Sequence, residues 1–192
     1  MGELRSPRRV TPLVAMLASD TAFFQAARAP LENLFGPIEL ESPLYPFEKT
    51  EYYTASMGPK LKRQFFTFRK LRDPADLADW KLATNRMEVE LKAALTASGS
   101  GGALPERPIN LDSGYVTGAK LVLATTKDFA HRIYLRDGIF AEITMSFRVD
   151  SWEGHFFTFP DYKNGTYDKF FMKIRSHHLR KVKHDPDAWA LE

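Results

Sequence analysis

The densest run of chemically capable side chains lies between Asn110 and Thr144: Asn110, Asp112, Lys120, Thr125, Thr126, Lys127, Asp128, His131, Arg132, Tyr134, Glu142 and Thr144. Asp137-Gly138 sits inside that stretch, between two alternating runs, residues 132–136 and 139–148. An Asp-Gly pair so placed predicts a hairpin with a type I′ turn. Such a turn pairs Arg136 with Ile139 and, stepping outward, Ile133 with Glu142. His131 then falls opposite Thr144 and diagonal to Glu142 on one face, while Arg132 and Tyr134 meet Ile143 and Ala141 on the other. A histidine and a carboxylate within reach of each other can act as a general acid/base pair near neutral pH. They can equally form a structural hydrogen-bonded pair on a solvated sheet face. His131 and Glu142 are therefore the catalytic candidates.

Lys120, Lys127 and Arg132 offer cationic donors for a phosphate or a carboxylate. Tyr134 and Thr144 complete the ligand-contacting set. Asp112 and Asp128 would orient the cations or bind a divalent ion. The alternative is that these cations simply pair with Asp112, Asp128 or Glu142. No Gly-x-x-x-x-Gly-Lys-Ser/Thr loop cradles phosphates, so Thr126-Lys127-Asp128 does not make a GTPase. No His-Glu-x-x-His zinc site is present, and no Gly-x-Ser-x-Gly elbow. His177, His178, His184 and Asp185 could hold a metal only if neighbouring helical side chains converged, and adjacent ones diverge by about 100°. The sequence assigns no metal and no cofactor.

The elements that must position these residues follow from periodicity. Residues 12–17 read as a buried strand. Asp20 caps a helix with Phe23, Phe24, Ala27, Leu31 and Leu34 at helical spacing, Pro30 should kink or break it, and Gly36-Pro37 stops it. Residues 38–47 look extended, 48–63 form a loop, and 64–71 an aromatic strand. Asp73-Pro74 opens a second helix whose core face is Leu77, Trp80, Thr84, Met87, Leu91 and Leu95. Residues 96–108, with Ser98-Gly99-Ser100-Gly101-Gly102, form a flexible connector. Residues 109–111 make a strand, 114–125 suit strand or helix, 156–159 suit a further strand, and 166–183 a final helix. Strand, helix, strand, strand, helix, strand over the first 112 residues is the order of a ferredoxin-like unit. Phe-Phe-Thr-Phe occurs twice, at 65–68 and 156–159, which in so phenylalanine-rich a chain is better read as chance than as duplication.

Composition bounds the rest. The chain has 192 residues, 44% hydrophobic and 13% aromatic, enough for one domain with a core built largely from rings. No run approaches the roughly 20 apolar residues of a membrane span, and the basic N-terminus lacks a secretory apolar stretch. There is no cysteine, hence no disulfide and no thiolate chemistry, which fits a cytoplasmic location. A net charge of +3 is too mild to announce nucleic acid. The basic residues of the last helix, Lys169, Lys173, Arg175, Arg180, Lys181 and Lys183, keep an RNA- or protein-binding module open as the alternative.

Several segments are familiar together: Tyr45-Pro46-Phe47 with Tyr52-Tyr53 and Met57-Gly58; Asn110-Leu111-Asp112-Ser113-Gly114-Tyr115; residues 120–128; His131-Arg132-Ile133-Tyr134-Leu135; Gly138-Ile139-Phe140-Ala141-Glu142; and Pro160-Asp161-Tyr162. They resemble the family called domain of unknown function 4416, over nearly the whole chain. Relatives tend to have proline where Ser113 stands and a less glycine-rich connector. The resemblance implies a bacterial single-domain protein and brings no established activity. The expectation is a single α+β domain over residues 1–192, mainly an antiparallel sheet with helices on one face. It would bind a small phosphorylated or carboxylated anion at the open end of the 132–148 hairpin.

Overall fold

Residues 11–18 are an almost unbroken apolar run, so both sides of one strand must be covered, and every residue of β1 (Thr11–Ala18) is buried. Leu13 and Ala15 belong to one apolar cluster, Val14, Met16 and Ala18 to another. A computed structural model describes residues 7–47, 53–97 and 104–184. After β1 come α1 (Thr21–Phe35), β2 (Ile38–Glu41), β3 (Tyr45–Pro46), α2 (Thr54–Met57), β4 (Lys62–Phe68), α3 (Leu77–Ala97) and β5 (Ile109–Val116). The second half adds β6 (Lys120–Thr125), β7 (Ile133–Arg136), β8 (Ile139–Arg148), β9 (Ser151–Gly154), α4 (Pro160–Lys163) and α5 (Asp168–His184).

The strands form one sheet in the order β2-β4-β1-β5-β6-β8-β7, with β3 also on β4 and β9 also on β8. Every described pairing is antiparallel. The β2-β4-β1-β5 portion, with α1 and α3 as its crossovers, is the ferredoxin-like arrangement that the element order implied. The class is α+β, as expected, but helices cover both faces instead of one. Phe23, Phe24, Ala27, Leu31 and Phe35 of α1 and Leu77, Trp80, Met87 and Leu91 of α3 pack on the Val14 side. Phe170, Phe171 and Ile174 of α5 pack on the Leu13 side. The abundance of rings explains why both layers are needed. Phe35 stacks on Phe68 at 4.7 Å on the first face, and Phe65 on the second meets Tyr45, Tyr162, Tyr167, Phe170 and Phe171. One helical layer would leave half of that area in water, and each such side chain contributes roughly 1.5–3 kcal/mol when buried.

Local signals explain the element ends. The Asp20 carboxylate accepts from the Ala22 amide at 2.9 Å and that of Asp73 from Ala75 at 2.9 Å. Pro30 does not break α1, which runs on to Phe35 because Phe24, Ala27, Leu31 and Phe35 all bury against the sheet. The stop is Gly36 at φ 90°. Asp137 and Gly138 take φ 53° and 74°, the two positive angles of a type I′ turn. Residues 114–125 resolve into strands, as β6 pairs with both β5 and β8. Two further expectations fail. Residues 156–159 are a turn preceding α4, so the second Phe-Phe-Thr-Phe is no strand; its role next to β8 is taken by β9. Residues 48–63 are not all loop, since they contain α2 and the start of β4. The glycine-rich 98–103, and Asp185, lie outside the described residues.

Candidate functional site

β5 and β6 pair over only three positions: Val116 with Leu121, Tyr115 with Val122, and Gly114 with Leu123. Beyond Gly114 the two strands part. β6 continues along β8, pairing Ala124 with Ala141 and Thr125 with Phe140, while β5 continues along β1. Gly114 marks the apex of the split for a steric reason: a Cβ there would stand 2.2 Å from the Val122 carbonyl oxygen.

The edge that β5 loses at the split is satisfied by side chains of α3. Glu88 accepts from the Leu111 amide at 2.7 Å, and Lys81 Nζ donates to the Leu111 carbonyl at 2.8 Å. Lys81 Nζ also lies 3.0 Å from Asp112 Oδ1, and the Lys81 side chain is only 4% exposed. Asn110 Nδ2 donates to Asp112 Oδ2 at 2.6 Å. Arg107 grips Glu88 through Nε at 2.9 Å and Nη2 at 2.7 Å, and bonds Asn110 Oδ1 as well. Burial pushes Asp112 up, but the Lys81 ammonium, the hydrogen bonds from Lys81 and Asn110, and the Arg63 charge outweigh it and hold the carboxyl below its ordinary value. Glu88 goes the other way, because burial outweighs the pull of Arg107 and of the Leu111 amide.

The β6 side of the split carries a second group. Glu142 is 5% exposed; its Oε2 accepts from Arg132 Nε at 2.8 Å and lies 3.1 Å from His131 Nε2. Thr144 Oγ1 donates to Glu142 Oε1 at 3.5 Å, and Arg132 Nη1 to the Lys127 carbonyl at 3.0 Å. Between the two groups opens a cavity of about 430 Å³. Its cations are Lys81, Arg107, Lys127 and Arg132, its carboxylates Asp112 and Glu142. Its neutral lining includes Tyr53, Ser56, Asn85, Asn110, Thr125 and Phe159.

The expected His131, Glu142 and Thr144 cluster forms, and Asp112, Lys127, Arg132 and Glu142 all line the cavity. Other expectations are corrected by register. β7 pairs Ile133 with Ala141 and Tyr134 with Phe140, one residue off the simple ladder, because the pairing shifts between Tyr134 and Arg136. Arg132 thereby joins the Glu142 carboxylate instead of facing Ile143. Tyr134 goes to the outer strand, 59% exposed, with its ring 5.3 Å from Phe140. Lys120 stands at the far end of β6 opposite Ser146, and Asp128 is exposed; neither lines the cavity. His131 touches Glu142 but is not itself part of the lining. Among the described residues no group of three or more His, Cys, Asp or Glu could hold a metal ion.

Lys81, Glu88, Asn85 and Arg107 escaped the sequence reading. Lys81 and Glu88 interleave with the core stripe of α3, at Leu77+4 and Thr84+4, and charged residues at core spacing were the signal available. A neighbouring polar cluster escaped too. Arg63 and Asp161 pair at 2.9 Å with both side chains under 10% exposed, and Tyr167 donates to Asp161 at 3.0 Å. Arg63 lies over the rings of Phe47 and Tyr162 at 4.8 and 5.4 Å. The last helix engages two of its basic residues inward: Lys181 bonds Glu39 at 2.6 Å, and Arg175 bonds the Gly118 carbonyl at 2.7 Å above the Phe147 ring. No described helix is long and apolar enough to cross a membrane.

Residues 8–178 match the family described as Domain of unknown function (DUF4416), so the chain belongs to that family. No curated protein and no solved structure matches.

Proposed function

We propose that this member of the domain of unknown function 4416 family binds a small organic anion, phosphorylated or carboxylated, in the split between β5 and β6. The observation that carries the reading is Lys81. Its ammonium is buried, it lines the cavity, and it meets two protein acceptors where it has three donors. The third N–H is left for a ligand oxygen to accept. Arg132, Arg107 and Lys127 supply the further cationic contacts, and Asn85 and Asn110 supply amides for the rest of the molecule. Any proton exchanged with the ligand passes through Glu142, the member of the His131–Glu142 pair that lines the cavity, with His131 as its positioning residue. The cysteine-free composition fits a reducing, cytoplasmic setting.

The inward engagement of Arg175 and Lys181 weighs against nucleic-acid binding by the last helix. A thermal-shift series of phosphate esters and organic acids, run on the native chain and on Lys127→Ala, tests the proposal. A compound at one hundred times its dissociation constant adds about 2.7 kcal/mol. That raises the midpoint of a chain this size by roughly 5–10 °C, and Lys127→Ala should shrink the rise. If no phosphorylated or carboxylated compound moves the midpoint, the reading is wrong.

A further inference from the structure

The second Phe-Phe-Thr-Phe segment, residues 156–159, is a turn pinned by its threonine. Thr158 Oγ1 donates to the Thr144 carbonyl at 2.6 Å and accepts from the His155 amide at 2.8 Å. Thr158 is buried, whereas Phe156, Phe157 and Phe159 are 98%, 38% and 47% exposed. Rings left partly in water on an anchored turn offer apolar area for a partner to cover. Phe157 is engaged already, stacked on His131 at 4.0 Å and 10° and on His155 at 5.3 Å and 20°. Phe159 has no ring partner among the described residues, and it borders the cavity that Tyr53 also lines.

The donors narrow the ligand further. Four cations line the cavity, and of the carboxylates around them Asp112 and Glu142 line it while Glu88 bonds Arg107. A phosphate monoester brings three acceptor oxygens to those donors where a carboxylate brings two. Arg132 and Arg107 each have guanidinium donors to spare for phosphoryl oxygens, beyond those given to Glu142, the Lys127 carbonyl, Glu88 and Asn110.

We infer that the ligand is a phosphate monoester whose organic part carries an aromatic ring, with the phosphoryl group held by Lys81 and Arg132 and the ring laid on Phe159. The inference rests on the anion-binding reading and narrows it to one class of ester.

Titration calorimetry of the whole chain above neutral pH, with inorganic phosphate, phenyl phosphate and benzoate as probes, separates the two. Phenyl phosphate should bind about tenfold tighter than inorganic phosphate, the gain expected from one ring contact with its buried area. It should also bind more tightly than benzoate. Phe159→Ala should bring phenyl phosphate down to the affinity of inorganic phosphate, and Phe159→Tyr should keep most of the gain. Equal affinities for the two phosphates, a gain that survives Phe159→Ala, or benzoate matching phenyl phosphate would each overturn the inference while leaving anion binding in place. Binding of none of the three would overturn both.

Discussion

Lys81 Nζ, carried by α3, donates to the main-chain oxygen of Leu111 at 2.8 Å, on the strand edge that β6 leaves where the sheet splits. With Glu88 on the Leu111 amide, one helix supplies both hydrogen bonds that a neighbouring strand would have made. Both backbone groups of Leu111 are therefore satisfied where the split stays open, and the lysine that stabilises it also faces the space it creates.

Removing that lysine should be costly even without ligand. Lys81→Met leaves the Leu111 carbonyl and Asp112 without their partner and should destabilise the fold by roughly 2–4 kcal/mol. Asp112→Asn keeps a hydrogen-bond acceptor near Lys81 at a side chain 31% exposed, where solvent replaces part of the lost charge, and should cost less. Urea unfolding of the two variants checks the order, and a larger loss in Asp112→Asn would argue against Lys81 as the central tie.

Gly114→Ala should pry apart the last paired positions of β5 and β6. The added methyl would meet the Val122 carbonyl oxygen at 2.2 Å and Leu123 Cδ2 at 2.7 Å, and backbone cannot swing aside as a side chain can. A loss of about 3 kcal/mol is expected, at the upper end of ordinary overpacking. A midpoint unchanged in thermal unfolding would show that the apex is not held shut there.

The hairpin shows how far such features can be read from sequence. Asp137-Gly138 announces its turn because only a few residue types accept two positive φ angles in succession. The pairing shift between Tyr134 and Arg136 leaves no comparable mark, so the ladder counted outward from the turn is one residue out. Glu142, His131 and Thr144 still come together, because the turn before β7 returns His131 to the carboxylate. Arg132, placed by parity on the opposite face, joins them. Lys81 is a different failure: a lysine at core spacing in α3 looks like an ordinary helix residue until the split in the sheet gives it something to bond. That split depends on which strand β6 follows, a long-range choice that no local pattern records.

The Arg63–Asp161 pair predicts asymmetric mutants. Asp161→Asn leaves the buried guanidinium facing a neutral group and should cost about 3–5 kcal/mol. The double change Arg63→Met with Asp161→Leu should cost less than the single one, because neither charge is then left without its partner. Denaturant midpoints for the native chain and the two variants decide it; a double variant that loses more than Asp161→Asn would mean that the two side chains do not act as a pair.

His178 predicts a specific acid window. It is 5% exposed and bonded to Thr11 Oγ1 at 3.0 Å. Burial, helped by the nearby Lys181 charge, pushes it down from 6.5 to about 4. In that interval the unfolded chain takes up a proton that the folded chain refuses, so stability falls as pH drops through 6.5 and this contribution levels off below about 4. Each unit of that fall is worth up to about 1.4 kcal/mol. Unfolding free energies measured across the window should lose this slope in His178→Gln; an unchanged slope would assign it to other groups.

Mapping where an anion binds decides between the split in the sheet and the last helix. Backbone amide shifts of the isotope-labelled chain, followed through a titration with inorganic phosphate at constant ionic strength, report each side of the split separately. Binding in the split predicts saturable shifts concentrated at Leu111, Asp112, Thr125, Lys127 and Arg132, with α5 unmoved. Shifts confined to the lysines and arginines of α5, or no saturable shift anywhere, would contradict it.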